Sequence, residues 1–129
     1  MKQERFSWRK RLKSFGYAFQ GIACLLRDEH NSRIHVGFMI AVVIAGCVFR
    51  ISTTEWCIVL ICFGMVLMAE AMNSAVEAIA DLVMPDKHPL IKKAKDIAAA
   101  GVLFTAIAAA IAGLIILVPY LFDYLGLIQ

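Results

Sequence analysis

Residues 97–118, IAAAGVLFTAIAAAIAGLIILV, form a run of twenty-two residues without a charge. A helix needs about 20 mainly apolar residues to cross the hydrocarbon core of a bilayer, because each residue adds about 1.5 Å. The run therefore predicts a transmembrane helix that ends near Pro119. Hydrophobic residues make up 61% of the 129-residue chain and charged residues 18%. Soluble domains are only about 45–50% apolar, so the composition argues against an ordinary water-soluble fold.

Two further apolar stretches precede this run. Residues 34–49 (IHVGFMIAVVIAGCVF) are interrupted only by His35, and residues 56–69 (WCIVLICFGMVLMA) lead to Glu70 and on to about residue 80. We therefore predict an all-α membrane protein, a single domain over residues 1–129, with spans at about 33–50, 54–81 and 95–118. Thr54 followed by Glu55 is expected to cap the start of the second span.

The basic residues are distributed unevenly along the chain. Eight of the thirteen Lys and Arg residues lie in residues 1–33, four lie at residues 87–95, Arg50 is alone in the first loop, and none follows Pro119. By the positive-inside rule, the N-terminus and the second loop are expected in the cytoplasm and the C-terminus outside. The formal net charge of +3 is too small to indicate nucleic-acid binding, and we expect no nucleic-acid partner.

The N-terminal segment has an apolar stripe with helical spacing. Large apolar side chains recur between residues 8 and 26 at intervals of four, three, four, three and four, while Arg9, Lys10 and Lys13 fall on the opposite face. This pattern is typical of a helix that lies in the membrane interface and is attracted to anionic headgroups. We therefore predict a cytoplasmic interfacial helix within residues 1–30.

A polar stripe follows the second apolar stretch and consists of Glu70, Asn73, Glu77 and Asp81. The intervals of three, four and four place these residues on one helix face, over about 16 Å at 1.5 Å per residue. A carboxylate at membrane depth costs about 2.5–3.5 kcal/mol on insertion scales, so a functional role is the default explanation. Lys95 could pair with one of these acids but not with three carboxylates.

Further charged residues are expected at the same membrane boundary. Asp28 and Glu29 precede the first span, and Lys95 and Asp96 precede the third. Oxygen ligands favour Mg²⁺, and lysines suit phosphate, so these residues together indicate phosphoryl transfer. The chain has no GxxxxGK[ST] motif and no kinase glycine loop, and a nucleotide site here would be of an unfamiliar kind.

Two other classes of function are compatible with part of the sequence. Intramembrane carboxylates also mark proton or cation pathways, so a small ion-conducting membrane subunit is an alternative. That alternative leaves Lys95, Asp96 and the basic second loop unexplained. A scaffold that assembles through the alanine-rich third span would explain its small residues but none of the acids.

The run E-x-x-N-S-A-V-E-x-x-x-D at residues 70–81, followed by A-K-D at residues 94–96, resembles the signature of the bacterial diacylglycerol kinase and undecaprenol kinase family. The resemblance extends from F-G-Y at residues 15–17 to the third span. Members are small integral-membrane homotrimers that transfer the γ-phosphate of ATP to a lipid hydroxyl. The resemblance thus implies a homotrimeric lipid kinase in the bacterial cytoplasmic (inner) membrane, with ATP and a membrane lipid as substrates.

The resemblance also implies roles for matching positions. Glu70 would be the general base that takes the proton from the bound lipid alcohol, and Asn73 would orient Glu70 or the substrate. Glu29 and Glu77 would bind Mg²⁺ and link it to the ATP phosphates, whereas Asp81 has no assigned role. The nucleotide contacts would be Tyr17, Glu29, Glu77, Asp86, Lys87, His88, Lys95 and Asp96. Headgroup contact for Lys87 and interfacial anchoring for Tyr17 are alternatives.

Two lipid acceptors remain open at this stage. E-H-N at residues 29–31, His35 and P-Y-L-F at residues 119–122 look more like the undecaprenol kinase branch. The diacylglycerol kinase branch tends to have a carboxylate at the position of His35. The resemblance thus favours undecaprenol, with undecaprenyl phosphate as the product, and leaves diacylglycerol, with phosphatidic acid as the product, as the alternative.

Overall fold

A computed structural model of the chain describes residues 4–127, which form four α-helices and no strand. The helices are α1 (Trp8–Asp28), α2 (His30–Phe49), α3 (Thr53–Val83) and α4 (Pro89–Tyr124). The last three are long and apolar enough to cross a membrane, which confirms the three predicted transmembrane helices. The most extensive helix packing is between α3 and α4, and α2 packs against both.

The helix α4 extends beyond the predicted span at both ends. Pro119 lies inside the helix rather than at its end, and the helix continues to Tyr124. Proline removes one backbone donor, but helices that cross membranes tolerate this loss. At the other end, Pro89 occupies the first turn, where its missing N–H is not needed. His88 caps that turn, since its Nδ1 accepts a hydrogen bond of 3.1 Å from the backbone N–H of Leu90.

The early start of α4 corrects the predicted second loop. Four lysines were expected in that loop, but the residues between α3 and α4 are only 84–88, so Lys87 alone lies there. Lys92, Lys93 and Lys95 belong to the first two turns of α4. The basic cluster is therefore mounted mainly on a helix, which fixes the spacing of its charges.

The turn between α2 and α3 is tightly specified. Arg50 adopts a left-handed conformation (φ 52°, ψ 55°) at the end of α2. Ser52, and not Thr54 as expected, is the N-cap of α3. Its hydroxyl accepts from the backbone N–H of Glu55 at 3.2 Å, and the Glu55 carboxylate accepts from the backbone N–H of Ser52 at 2.8 Å. This capping box needs a Ser three residues before a Glu, a spacing that Thr54 does not have.

The apolar core lies beside this turn. Ile51, Val59 and Ile116 are buried together, and the Trp56 ring packs against them. Gly46 allows α2 to approach this ring closely, because a Cβ atom at that position would lie 2.7 Å from the nearest Trp56 ring atom. One end of the three-helix unit is therefore closed by apolar packing.

The helix α1 has no buried residue. Its predicted apolar stripe is accordingly exposed over most of its length: Trp8, Leu12, Phe15, Phe19 and Ile22 are between 52% and 75% exposed. A single residue, Glu29, separates α1 from α2 and adopts an extended conformation (φ −109°, ψ 113°).

Candidate active site

The polar stripe of α3 continues the buried face of that helix. The buried residues of α3 are Val59, Val66, Glu70, Asn73 and Ala80, at intervals of seven, four, three and seven. Glu70 and Asn73 thus occupy positions where the helix pattern would ordinarily place an apolar side chain. The Glu70 side chain is only 1% exposed, and Asn73 is 9% exposed.

His35 on α2 contacts Glu70. Its Nε2 atom lies 3.0 Å from Glu70 Oε1, a distance within the range of an ion pair. The alignment does not meet hydrogen-bond geometry, so Oε1 has no hydrogen-bond partner among the described residues. Sequence reasoning did not place His35 in the site. The available signal was an ionisable residue inside an apolar stretch, which in a membrane protein is a candidate functional residue by itself.

Several buried side-chain oxygens near the ends of α2 and α3 lack partners. Within residues 4–127, four such oxygens have no hydrogen bond: Ser32 Oγ, Glu70 Oε1, Asn73 Oδ1 and Ser74 Oγ. Ser32 is completely buried. Because most buried polar atoms in native proteins are hydrogen-bonded, this cluster is a place where a ligand or water can supply the missing donors.

Glu29 and Glu77 lie close enough to Glu70 for their charges to act on it. Glu29 caps α1 and begins α2 through its backbone, and its side chain makes no capping hydrogen bond. Its carboxylate is therefore not used by the helix ends that it joins. Three acidic side chains from two parts of the chain thus share one neighbourhood.

A complete protein cage for a metal is absent from the described residues, which contain no group of three or more His, Cys, Asp and Glu side chains arranged as ligands. Mg²⁺ in kinases typically uses one or two carboxylates and takes its other ligands from water and substrate phosphates. The unpaired carboxylates around Glu70 fit that second arrangement. They fit a metal that arrives with a nucleotide better than a resident structural metal.

Two lysines on α4, Lys92 and Lys95, pair with acids other than Glu70, Glu29 and Glu77. Lys95 Nζ lies 2.6 Å from Asp81 Oδ1 and joins α4 to α3. Lys92 Nζ lies 2.5 Å from Asp96 Oδ2, one turn along α4. Lys95 therefore contacts the exposed end of the polar stripe, and Glu70 has no lysine contact among the described residues.

The remaining candidate residues are not joined to the buried cluster by hydrogen bonds or ion pairs within the described part of the chain. Tyr17 is 67% exposed on α1. Asp86 and Lys87 are exposed in the connection between α3 and α4. The His88 ring is engaged in capping α4. A bound nucleotide would have to bring these residues together.

Asp28 differs from its neighbour Glu29. Its carboxylate accepts hydrogen bonds from Arg27 Nε at 3.1 Å and from Cys24 Sγ at 3.2 Å. The hydrogen bond from Arg27, followed by that from Cys24, lowers the pKa of Asp28 below its ordinary value. Asp28 is thus satisfied within α1, whereas Glu29 makes no capping hydrogen bond with its side chain.

Comparison with known proteins identifies the class. The profile of the family described as prokaryotic diacylglycerol kinase matches residues 16–117. The undecaprenol kinase of Bacillus subtilis is 37% identical over 120 residues, which cover 93% of this chain and 98% of the relative. The diacylglycerol kinase of Synechocystis is 35% identical over 84% of this chain and 62% of its own length. The diacylglycerol kinase of Escherichia coli K12 is 32% identical over 82% of this chain and 87% of its own length.

The chain belongs to the prokaryotic diacylglycerol kinase family. It is a membrane protein and a lipid kinase, a transferase that uses ATP. The ion-conducting and scaffold alternatives are thereby set aside. The family match includes the polar stripe, Glu29, His35 and the first turns of α4, so Glu70, Glu29 and Glu77 all lie within the matched region.

Proposed function

We propose that this protein transfers the γ-phosphate of ATP to undecaprenol at the cytoplasmic face of a bacterial inner membrane. The observation that carries the proposal is Glu70, a buried carboxylate oxygen without a hydrogen bond on a membrane-spanning helix. The choice of acceptor is supported by the 37% identity to the Bacillus undecaprenol kinase along nearly the full length of both chains.

The depth of Glu70 suits an acceptor that stays in the membrane. The helix α3 has 31 residues, about 46 Å at 1.5 Å per residue, and so exceeds the hydrocarbon core of about 30 Å. If the Ser52 cap lies at the outer boundary, near Trp56 and Tyr120, the inner boundary falls near residue 73, after about 20 residues. Glu70 then lies just inside the hydrocarbon, and Glu77 and Asp81 lie beyond it.

In this proposal Glu70 is the general base. It accepts the proton of the lipid hydroxyl as the lipid oxygen forms its bond to the γ-phosphorus. Asn73, one helical turn away on the same face, orients the Glu70 carboxylate or the lipid hydroxyl through its amide group. The buried position of both side chains restricts their rotamers, and a fixed geometry favours proton transfer.

We further propose that Glu29 and Glu77 hold Mg²⁺ together with the nucleotide phosphates. When bound, Mg²⁺ neutralises charge that develops on the transferred phosphoryl group. The proximity of both carboxylates to Glu70 supports this assignment. Lys95 and Asp96 would exchange their present ion pairs for nucleotide contacts. The other nucleotide contacts in this proposal are Tyr17, Asp86, Lys87 and His88.

The placement of the chain in the membrane is part of the same proposal. The exposed apolar stripe of α1, opposite a basic face, supports a position in the cytoplasmic interface. The basic residues of the N-terminus and of the first turns of α4 support a cytoplasmic location for both segments, and in this proposal the C-terminus lies outside. We propose a homotrimer on the family resemblance, and mass measurement of the detergent-solubilised protein tests it.

The decisive experiment compares two acceptors. Purified protein in mixed micelles with Mg²⁺ and ATP is offered undecaprenol or diacylglycerol in separate reactions, and lipid phosphate is measured. Faster turnover of undecaprenol is the expected result. Faster turnover of diacylglycerol would contradict the proposed acceptor and leave the kinase assignment intact.

Diacylglycerol is the second candidate acceptor. The relatives from Synechocystis and Escherichia coli that carry this activity in their names are 35% and 32% identical to this chain. The same buried base would serve either alcohol, because the chemistry at the hydroxyl is the same. The acceptor experiment therefore distinguishes lipid recognition and not the reaction type.

A further inference from the structure

The carboxylate of Glu70 has an unusual set of neighbours for a group that must work as a base. It is 1% exposed, and the charges of Glu29 and Glu77 act on it. Burial and nearby negative charges both disfavour an ionised carboxylate, and a protonated carboxyl cannot accept a proton. Among the described residues, His35 is the group with a potential N–H donor that contacts Glu70, at 3.0 Å. His35 is therefore the contact through which the site can keep the base ionised.

We propose that His35 is a positioning residue that holds Glu70 ionised and fixes which of its oxygens acts as the base. The Nε2 atom of His35 lies 3.0 Å from Oε1. In the proposed active arrangement the ring turns so that an Nε2–H donates to Oε1, and Oε2 is left for the lipid hydroxyl. In the transfer step the lipid oxygen bonds to the γ-phosphorus, the bond from that phosphorus to the departing ADP oxygen breaks, and the hydroxyl proton moves to Oε2. This inference rests on the proposed role of Glu70 as the base.

The location of His35 supports this role. It lies five residues after the start of α2 at His30, about 8 Å along the helix at 1.5 Å per residue. Its side chain is 23% exposed, so its ring is reached from the surface while Glu70 is sealed. An imidazole that carries a proton on Nε2 can donate to the carboxylate, whether or not Nδ1 is also protonated.

The charged groups around His35 are few, which makes its effect on the pH profile measurable. From α3 it faces Glu70, with Glu77 one to two turns further along, and Glu29 lies at the junction of α1 and α2. On its own helix, Arg33 points to His30, with 3.1 Å between Nη2 and Nδ1. From α4, Lys95 is bound to Asp81. Arg33 and Lys95 thus have partners closer than Glu70, although the charge of Glu77 also acts on Lys95.

The test compares three substitutions at His35 with a matched control. His35→Leu removes the donor, and we expect kcat to fall by about tenfold to a hundredfold, within the range for acid–base machinery. KM for ATP and for lipid should change by less than about threefold. The acid limb of the kcat profile should move to higher pH, since Glu70 loses the donor that favours its ionised form. His35→Gln retains an N–H donor and should recover most of the lost kcat.

The control substitution is His30→Gln on the same helix. His30 is exposed and contacts Arg33, not Glu70. Its kcat and pH profile should match the unsubstituted protein within about twofold. His35→Ala is assayed with and without added imidazole, and imidazole should restore part of its kcat. The same addition should not affect His30→Gln. The imidazole comparison therefore tests the role of His35 even where the leucine variant does not fold.

Three outcomes would overturn the inference, and they differ in which other proposal they eliminate. Glu70→Gln could be inactive while His35→Gln and His35→Ala keep the original kcat and pH profile. That result would eliminate the role of His35 alone. A fully active Glu70→Gln would eliminate the proposed base and His35 with it. Loss of activity in His35→Ala without imidazole rescue, and with unfolding in detergent, would show that His35 acts only in packing.

Discussion

Glu55 and Glu70 are two carboxylates on the same helix with opposite surroundings. Glu55 Oε2 accepts from the Ser52 backbone N–H at 2.8 Å and from the Tyr120 hydroxyl at 2.7 Å. Glu70 is more deeply buried, yet its Oε1 has a contact with His35 and no hydrogen bond. The comparison shows that, along α3, the more deeply buried carboxylate is the one that lacks hydrogen bonds to the described residues. The carboxylate in the first turn of α3 completes the structure, and the carboxylate near the middle of the helix is left available for a reaction.

The cost of each arrangement follows from its partners. A satisfied carboxylate at a helix start gains from the cap and from the helix dipole. An unsatisfied buried polar group costs about 1–3 kcal/mol, and more when it is charged. Proteins commonly tolerate such a cost where binding or catalysis needs it. We therefore expect substitutions at Glu55 to affect stability and those at Glu70 to affect turnover.

The largest expected effect is on turnover. Glu70→Gln should lower kcat by about 10²–10⁴-fold, because the amide cannot accept the hydroxyl proton. The folded protein, its assembly and its ATP binding should be retained, since glutamine has nearly the shape of glutamate and its amide oxygen can still accept a hydrogen bond. Lipid phosphate formation in mixed micelles measures the change. Full turnover in this variant would contradict the contrast between the two carboxylates.

A second effect concerns the metal. Glu77→Gln should raise the Mg²⁺ concentration needed for half-maximal activity by more than about tenfold, because one of the few protein ligands is lost. The matched control is Asp123→Asn, an acid in the last turn of α4 at the opposite end of the molecule. Titration of activity with Mg²⁺ tests both variants. An equal shift in the two would indicate a general charge effect.

The third effect is on stability. Glu55→Gln weakens the capping box and the hydrogen bond from Tyr120, and it should lower the free energy of unfolding by about 1–3 kcal/mol. Thermal unfolding in detergent measures the loss. The kcat of the remaining folded protein should stay within about twofold. A large loss of kcat at unchanged stability would place Glu55 in the reaction and erase the distinction from Glu70.

The packing beside Glu55 offers a second test of stability, in which the expected effect comes from a steric clash. Gly46→Ala places a Cβ 2.7 Å from the Trp56 ring, and overpacking of this kind costs about 1–3 kcal/mol. Gly37→Ala on the same helix meets nothing within 4 Å and should leave stability equal or slightly higher. Unfolding temperatures of the two alanine variants, measured side by side, give the comparison. Equal values would mean that α2 and α3 do not approach closely at this end.

The smallest expected effect is at the exposed end of the polar stripe. Asp81→Asn removes the partner of Lys95, but the two side chains are 67% and 37% exposed. Exposed ion pairs contribute about 0–1 kcal/mol, so the change in unfolding free energy should stay within that range. Detergent unfolding measured at low and high salt checks this expectation. A larger, salt-insensitive loss would imply that the pair is sealed in the assembled protein.

Much of the fold was predictable from local pattern. The three apolar runs specified the three long helices, because length and absence of charge suffice for a membrane span. The capping box is also visible in the sequence as Ser52 followed by Glu55, although Thr54 is the residue expected above to cap α3. The helix limits were less predictable, since Pro89 and Pro119 read as breaks but lie within α4.

The candidate site was predictable only along one helix. The intervals between Glu70, Asn73 and Glu77 place them on one face without knowledge of any other element. The contact between His35 and Glu70 joins residues far apart in sequence and depends on how α2 packs against α3. Ser32, which is fully buried, carries no pattern in the sequence that distinguishes it from a surface serine.

Glu29 has a mechanical consequence that follows from its place between two helices. As the single residue separating α1 from α2, its two backbone torsions set the angle between them. The helix α1 has 21 residues and acts as an arm of about 31 Å, so a rotation of about 10° at this joint moves its far end by about 5 Å. The same torsions orient the carboxylate that we assign to Mg²⁺. Tilting the arm and aiming the ligand are thus coupled through the same two backbone torsions.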